Sequence, residues 1–189
     1  MRAFEPGGRF TVDFELNEIG DGISYDATTP FGTTAEWWIY DALASTVDPV
    51  YDVELAVGGR SWIGPHTISI ISADLIQGNV PTSERGFYSA DMLNLTVNVD
   101  DLQDVSPELF DTRGHFKAKI SDVNRYRAIW QGQVYRPYHV QPEGYLNDRG
   151  TLFTIRMIQV MPDELINDEQ FQDYANGYLP DPHPPVNPE

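Results

Sequence analysis

The four histidines are the side chains best suited to acid–base or metal chemistry, and their spacing does not group them. They are His66, His115, His139 and His183, and they form neither an i, i+4 pair nor an H-E-x-x-H motif, the pattern that brings two imidazoles to one zinc ion. Nucleophilic catalysis needs a serine or cysteine beside a base, but the chain has no cysteine and no G-x-S-x-G elbow. We therefore expect no catalytic residue, no metal site, no cofactor and no enzymatic activity.

Carboxylates are too abundant for a pair of them to indicate a glycosidase, because 29 of the 189 residues are acidic. Asp100, Asp101 and Asp104 lack the spacing and the closing glutamate of an EF-hand loop. We expect them to lie in a polar loop after a strand that ends at Val99. The motif Gly58-Gly59-Arg60 is too short to cradle a phosphate and predicts a turn.

Aromatic residues are the remaining candidates for a binding platform. The tryptophans at 37, 38, 62 and 130 and the ten tyrosines fit a sugar-binding or protein-binding surface, and they fit a β core equally well. We expect Trp130 to lie in the core and Trp62 to be partly exposed.

Charge is distributed unevenly along the chain. The net charge is −17, yet residues 112–156 carry a net charge of +5, which leaves −22 on the remainder. An acidic body repels nucleic acid, whereas oppositely charged ends favour head-to-tail association of like subunits. The alternative is a solvated surface on which basic residues cluster by chance. The candidate subunit-interface residues in this segment are Lys117, Lys119, Arg125, Arg127 and Arg136.

Strict alternation of apolar and polar residues predicts half-buried strands at residues 10–16, 51–57, 93–99 and 116–120. Residues 66–76 begin with alternation and then become apolar on both faces, which predicts a strand covered on both sides with a bulge near Ile70-Ile71. Further along, Gln131-Gly132 predicts a tight hairpin turn, residues 142–150 a loop and residues 151–160 a long return strand. Pro137 cannot donate to a ladder, so its strand is expected to lie at an edge or to be bulged there.

Helix signals are few. Thr33 and Glu36 have capping-box spacing and predict a helix to about Ser45, although the bulky Trp38 and Ile39 also fit a strand. Pro162, followed by two acidic residues, predicts a second helix that runs to about Tyr174. The final 13 residues, GYLPDPHPPVNPE, are too rich in proline for helix or central strand and should be extended, as a disordered terminus or as an arm on a neighbouring subunit.

These elements predict a mainly β fold, namely a small antiparallel β-barrel or sandwich with one or two short helices and extended terminal arms. The expected organisation is an N-terminal arm or strand with a short helix at 1–45, a β-barrel core at 46–161, and a C-terminal helix with a Pro-rich tail at 162–189. No apolar run reaches the length of a membrane span, and the N-terminus MRAFEPGGRF lacks the apolar stretch of a signal peptide. We therefore expect assembly in a cytoplasm without a membrane partner.

Several stretches of the chain resemble head-completion proteins of tailed bacteriophages, also called stoppers or neck connectors. They lie within residues 45–170 and are STVDPVYDV, SWIGPHTISIISADLIQG, RGFYSADMLNLTVNVDDL and WQGQVYRPYHVQPEGYLNDRGTLFTIRMIQVMPDELIND. The shared features are a hydrophobic rhythm with recurring glycine and aromatic positions, and the last stretch is similar to the closing meander of those barrels. The chain is longer than a minimal stopper.

The resemblance implies a structural virion protein of the phage neck and supplies no catalytic residue. Such a protein would form a homo-oligomeric ring of six or twelve copies that connects the portal or adaptor to the tail. It would help to retain packaged DNA, which passes through the channel without sequence-specific binding. Tail terminators, tail-tube components and, less closely, carbohydrate-binding or fibre-like β modules share this rhythm and are the alternatives.

Overall fold

Six antiparallel strands close into a barrel in the order β1-β2-β3-β6-β5-β4. The computed structural model describes residues 33–46, 59–78, 90–111, 115–146, 149–165 and 168–174, together with Gly22. The predicted mainly β fold is therefore confirmed, with the barrel as the alternative that forms. The strands are β1 (Thr34–Tyr40), β2 (Trp62–Ile76), β3 (Met92–Asn98), β4 (Arg127–Trp130), β5 (Gln133–Leu146) and β6 (Arg149–Gln159).

The barrel interior is filled by alternate side chains of its strands. Leu93, Leu95 and Val97 of β3 are fully buried and face a shared cluster with Phe153, Ile155 and Met157 of β6, which pair with them across the ladder. This is the period-two pattern of a strand with one face on a core, and it confirms the strand predicted from residues 93–99. That strand ends one residue earlier than predicted, because Val99 begins a helix.

The connection between β3 and β4 packs on this interior cluster. It contains α1 (Val99–Val105), a 3-10 turn (Pro107–Leu109) and α2 (Ile120–Val123), and it contributes Leu102, Leu109 and Phe110 to the core. A buried hydrogen bond from Trp37 Nε1 to Ser106 Oγ (3.0 Å) ties the connection to β1. Since a buried indole N–H needs a partner, Ser106 fixes where the connection sits on the barrel.

The aspartates after β3 lie in α1, so the predicted polar loop is wrong. Asn98 is the N-cap, and its side chain accepts a hydrogen bond from the backbone N–H of Asp100 (3.2 Å). Asp100 and Asp101 occupy the first helical turn, where carboxylates interact favourably with the helix dipole. Their clustering is therefore explained by helix initiation.

The helix predicted after Thr33 is also wrong, because residues 34–40 form β1. β1 pairs with both β2 and β4, so the barrel begins inside the segment 1–45 that was assigned to an N-terminal arm or strand. Trp37 is fully buried in the interior cluster, while Trp38 packs in a second cluster on the outer side. Apolar residues on both faces remove the alternation that would otherwise mark a strand.

Two irregularities predicted from sequence are present in β2 and β5. The pairing of β2 with β3 shifts register between Ile70 and Ser72, and the pairing of β5 with β6 shifts between Pro137 and His139. Both are bulge sites, as expected for a doubly apolar step and for a proline in a sheet. The expectation that β2 is covered on both sides is wrong at its end, where Leu75 and Ile76 are each 40% exposed.

The hairpin between β4 and β5 turns at Gln131-Gly132, as predicted. Both residues have positive φ, +50° for Gln131 and +75° for Gly132, as the favoured two-residue hairpin turn requires. The loop predicted over residues 142–150 is largely wrong, since β5 continues to Leu146 and β6 begins at Arg149. The strand predicted at 116–120 is wrong as well, because Phe116 makes only an isolated bridge to Phe110.

A second apolar cluster covers the outer side of β4 and the start of β5. Ile129 and Val134 belong to it and alternate with Ala128 and Tyr135, which face the interior. Leu165 and Phe171 complete it from the segment after β6, which comprises α3 (Pro162–Leu165) and a 3-10 turn (Glu169–Phe171). We call residues 161–174 the C-terminal strap. The single helix predicted from Pro162 to Tyr174 is thus interrupted, because Asp168 is not helical and the described helical residues are 162–165, 169–171 and 172–174.

The tryptophan predictions are reversed by this packing. Trp62 is 3% exposed and lies in the outer cluster, whereas Trp130 is only partly buried. The strands predicted at residues 10–16 and 51–57, the turn at Gly58 and the extended tail after Tyr174 lie outside the described residues, which include only Gly59 and Arg60 of that turn.

Candidate interaction surface

Histidine and carboxylate chemistry is sparse in the part of the chain that the structure describes. His115 Nδ1 lies 3.3 Å from Asp111 Oδ2, with both side chains partly exposed. Across the described ranges no group of three His, Cys, Asp or Glu residues could hold a metal ion. Nor does any helix there combine the length and apolarity needed to span a membrane.

The basic residues predicted to form an interface are not equivalent. Lys117 and Lys119 are exposed on the connection between β3 and β4. Arg125 is also exposed, and its guanidinium lies 5.2 Å from the centroid of the Tyr40 ring. All three are exposed, and their assignment to a subunit interface stays a prediction.

Arg127 is buried on the outer side of the barrel wall, next to Trp62 of the outer cluster. It is 4% exposed, its Nη1 donates to the carbonyl of Tyr126 (3.0 Å), and its guanidinium lies 5.2 Å from the Trp62 ring centroid. Burial lowers the pKa of Arg127 to about 10, and the charge of Asp168 opposes that shift. Arg127 therefore stays a cation near neutral pH, and its charge interacts with that of Asp168 in the strap.

Two further basic residues fasten the same strap. Arg60 Nη1 lies 3.8 Å from Oδ1 of Asp168, which is fully buried. Arg136 Nη1 lies 3.5 Å from Glu164 Oε2, and both of these side chains are at least 40% exposed. Gln170 donates to the carbonyl of Trp62 and accepts from its N–H, both at 2.8 Å. The predicted basic patch is thus partly a fastening for the chain's own C-terminal residues.

The outer face of β3, β6 and β5 carries an apolar groove that sequence reasoning missed. The ladder aligns Ile76, Met92, Ile158 and Arg136 in one row across four strands. Of these, Met92, Ile158 and Arg136 line an open groove of about 620 Å³ together with Pro137, Tyr138 and Asn124. Ile76 and Tyr138 are each 40% exposed. We call the groove lined by Met92, Asn124, Arg136, Pro137, Tyr138 and Ile158 the β6 groove, since β6 lies at its centre.

A second apolar feature is a rigid turn that follows β1. Leu43 is 99% exposed, and the backbone N–H groups of Leu43 and Ala44 both donate to Asp41 Oδ1 (2.9 and 3.0 Å). Ser45 Oγ accepts from the N–H of Ser61 (2.9 Å) and anchors the turn to the start of β2. A fixed turn that presents a leucine to solvent is suited to inserting into a partner, because little ordering entropy remains to be lost.

Comparison with known proteins gives little to place beside this geometry. No family model matches the chain, and no curated protein is similar to it in sequence. Among solved structures, one chain from a structure described as "Virion of native gene transfer agent (GTA) particle" aligns with this chain, with a TM-score of 0.38 and 11% identity. The alignment covers 67% of this chain and 93% of the other. At that TM-score and identity the likeness settles neither the fold nor the role of the protein.

Proposed function

We propose that the protein is a structural virion protein of the phage neck that forms a ring connecting the portal or adaptor to the tail. The observation that carries the proposal is the position of its apolar surface. The barrel interior is closed by packed side chains such as Trp37 and Phe153, whereas the β6 groove and Leu43 present apolar surface outward. A filled barrel with outward apolar features is suited to binding other proteins.

Ring formation follows from the kind of contact that such a subunit makes. The groove and the Leu43 turn are different surfaces, and each would meet some other surface of a neighbouring copy. A contact between unlike faces is heterologous and closes into a ring when its rotation allows. The exposed Lys117 and Lys119 on an otherwise acidic chain would steer that contact. Carboxylates lining the channel would repel DNA phosphates, which lets DNA pass and be retained without adhering.

Native mass spectrometry of the full-length protein tests the ring. We expect closed species of six or twelve copies over a series of concentrations. The substitution Leu43→Asp should reduce ring abundance about tenfold, the effect of losing one apolar anchor. Asp104→Asn on α1 is the matched control, since it also changes an exposed side chain. A protein that stays monomeric throughout would contradict the neck assignment.

Imaging of an intact particle tests the neck position. We expect density for the barrel in a ring between portal and tail. A position along the tail tube or in a fibre would replace the neck role with another structural one.

A further inference from the structure

We propose that the β6 groove binds the Pro-rich segment at residues 178–188 of a neighbouring copy of the same chain. This inference rests on the proposed ring, which supplies the neighbour, and names the contact that links its subunits. Three observations carry it: the periodicity of the segment, the charge around the groove, and the place where the C-terminal strap ends on the barrel.

The periodicity of the segment matches a polyproline II helix. Leu179, Pro182, Pro185 and Pro188 recur every third residue, and that helix has three residues per turn. In this conformation the four side chains would form one apolar ridge. Ridges of this kind bind grooves lined by aromatic and apolar side chains, and the β6 groove offers Tyr138, Met92 and Ile158.

The charges are complementary. Residues 175–189 contain Asp181 and Glu189 and no lysine or arginine. The groove is lined by Arg136, and the exposed Arg156 lies in the adjacent outer row of β6, two residues from Ile158. Arg136 carries several N–H donors and contacts Glu164 through Nη1 at 3.5 Å. An acidic segment in the groove would therefore meet positive charge along β5 and β6.

The topology places the end of the C-terminal strap and the β6 groove on opposite sides of the barrel. The strap begins beside β5, where Glu164 meets Arg136, and reaches β1, where Tyr174 packs in the cluster that contains Trp38. In the closed order β1-β2-β3-β6-β5-β4, β1 and β6 are three strands apart in both directions. Tyr174, the last described residue before the segment, therefore packs on the side of the barrel across from β6. Opposed donor and acceptor faces give the head-to-tail contact that a ring repeats.

Disulfide trapping tests the contact, because the natural chain has no cysteine. Full-length Pro182→Cys and full-length Ile76→Cys are mixed under mild oxidation. Ile76 pairs with the groove residue Met92, so a docked segment brings the two positions within disulfide reach. We expect a disulfide-linked pair of two different copies. Mixing Pro182→Cys with Asp104→Cys, an exposed position on α1, is the matched control and should give no such pair.

The groove itself is tested by adding Tyr138→Ser to the Ile76→Cys copy. Loss of the aromatic side chain in Tyr138→Ser should lower the yield of linked pairs about tenfold. Tyr138→Phe keeps the aromatic side chain and should preserve the yield. Circular dichroism of each variant checks that the barrel is folded. An unchanged yield with Tyr138→Ser would overturn the groove as the binding site.

The remaining outcomes separate this inference from the proposed function. A link that forms only within a single chain carrying both cysteines would overturn docking between copies. Rings seen by native mass spectrometry without any disulfide between copies would overturn the docking of the Pro-rich segment but would still support the proposed ring. Monomers that never link would contradict both.

Discussion

At the scale of single residues, the fastening of the strap depends on charges that burial makes costly. Asp168 is fully buried beside Arg60, and its charge offsets the desolvation of Arg127. Removing one partner of such a group leaves the other charge uncompensated, which costs far more than the intact pair contributes. The interaction therefore specifies where the strap lies more than it adds net stability.

Asp168→Asn should lower the free energy of unfolding by about 3 kcal/mol, because Arg127 would lose its compensating charge. In the Asp168→Asn background, Arg127→Met should lower the free energy of unfolding by less than it does in the natural chain. The difference is a coupling energy of about 1–3 kcal/mol. Urea unfolding of the four proteins measures both. Glu164→Gln is the control: its pair with Arg136 is exposed and should change stability by less than about 1 kcal/mol. Strictly additive losses would contradict the coupling.

Tyr126 predicts a pH dependence of stability. Burial, and then the hydrogen bond from its hydroxyl to Glu108 Oε1 (2.7 Å), raises the pKa of Tyr126 well above its ordinary value. The raised pKa means that its contribution is complete below the unfolded pKa of about 10 and is lost as pH rises above it. From pH 9 to pH 11 the natural chain should lose about 1 kcal/mol more stability than Tyr126→Phe. Equal losses in chemical denaturation at the two pH values would contradict this.

At the scale of elements, β1 shows what a sequence pattern conceals. The spacing of Thr33 and Glu36 fits a helix cap, and apolar Trp37 beside Trp38 breaks the alternation of a strand. Both tryptophans are needed, because one faces the barrel interior and the other the cluster under the strap. A strand covered by a distant C-terminal segment cannot be recognised locally. By contrast, the hairpin at Gln131-Gly132 was predictable because Gly132 readily takes the positive φ that such a turn requires.

The strap is fastened at the start of β2 by one side chain that replaces a strand neighbour. The Gln170 amide makes two hydrogen bonds with the backbone of Trp62. Gln170→Leu keeps the side-chain size but leaves both backbone groups without these partners, so stability should fall by about 1–3 kcal/mol. Hydrogen exchange at the Trp62 amide should accelerate in parallel. Gln141→Leu, exposed on β5, is the control and should stay within about 0.5 kcal/mol.

At the scale of the whole molecule, alternation was sufficient to predict a small antiparallel β-barrel or sandwich but insufficient to locate the β6 groove. The inward-facing residues of β3 can be recognised from the sequence because the alternation lies within that one strand. The β6 groove instead gathers single residues from distant positions, such as Met92, Tyr138 and Ile158, which become neighbours only through the ladder register. Likewise, the basic cluster was visible as a run of charges, yet its division into exposed lysines and a buried Arg127 depends on where the strap packs.

That division sharpens the electrostatic test of assembly. Charge reversal at Arg127 would unfold the strap, so the informative change is Lys117→Glu with Lys119→Glu, both on exposed positions. If these lysines meet an acidic neighbour, the dissociation constant of the ring should rise about tenfold in low salt, from modest contributions of each pair. The difference should shrink towards 1 M salt, where the Debye length falls to about 3 Å. Light scattering across a salt series measures the dissociation constant. The variant with both lysines changed to glutamine should have a dissociation constant between those of the natural chain and the glutamate variant.

Unchanged assembly of the glutamate variant at low salt would contradict a place for Lys117 and Lys119 in the interface. The apolar contacts of the β6 groove and the Leu43 turn would then have to account for subunit association. Because apolar burial depends far less on salt than surface charge does, a ring whose stability is insensitive to ionic strength would point to the groove. A ring that dissociates steeply with salt would point to the lysines.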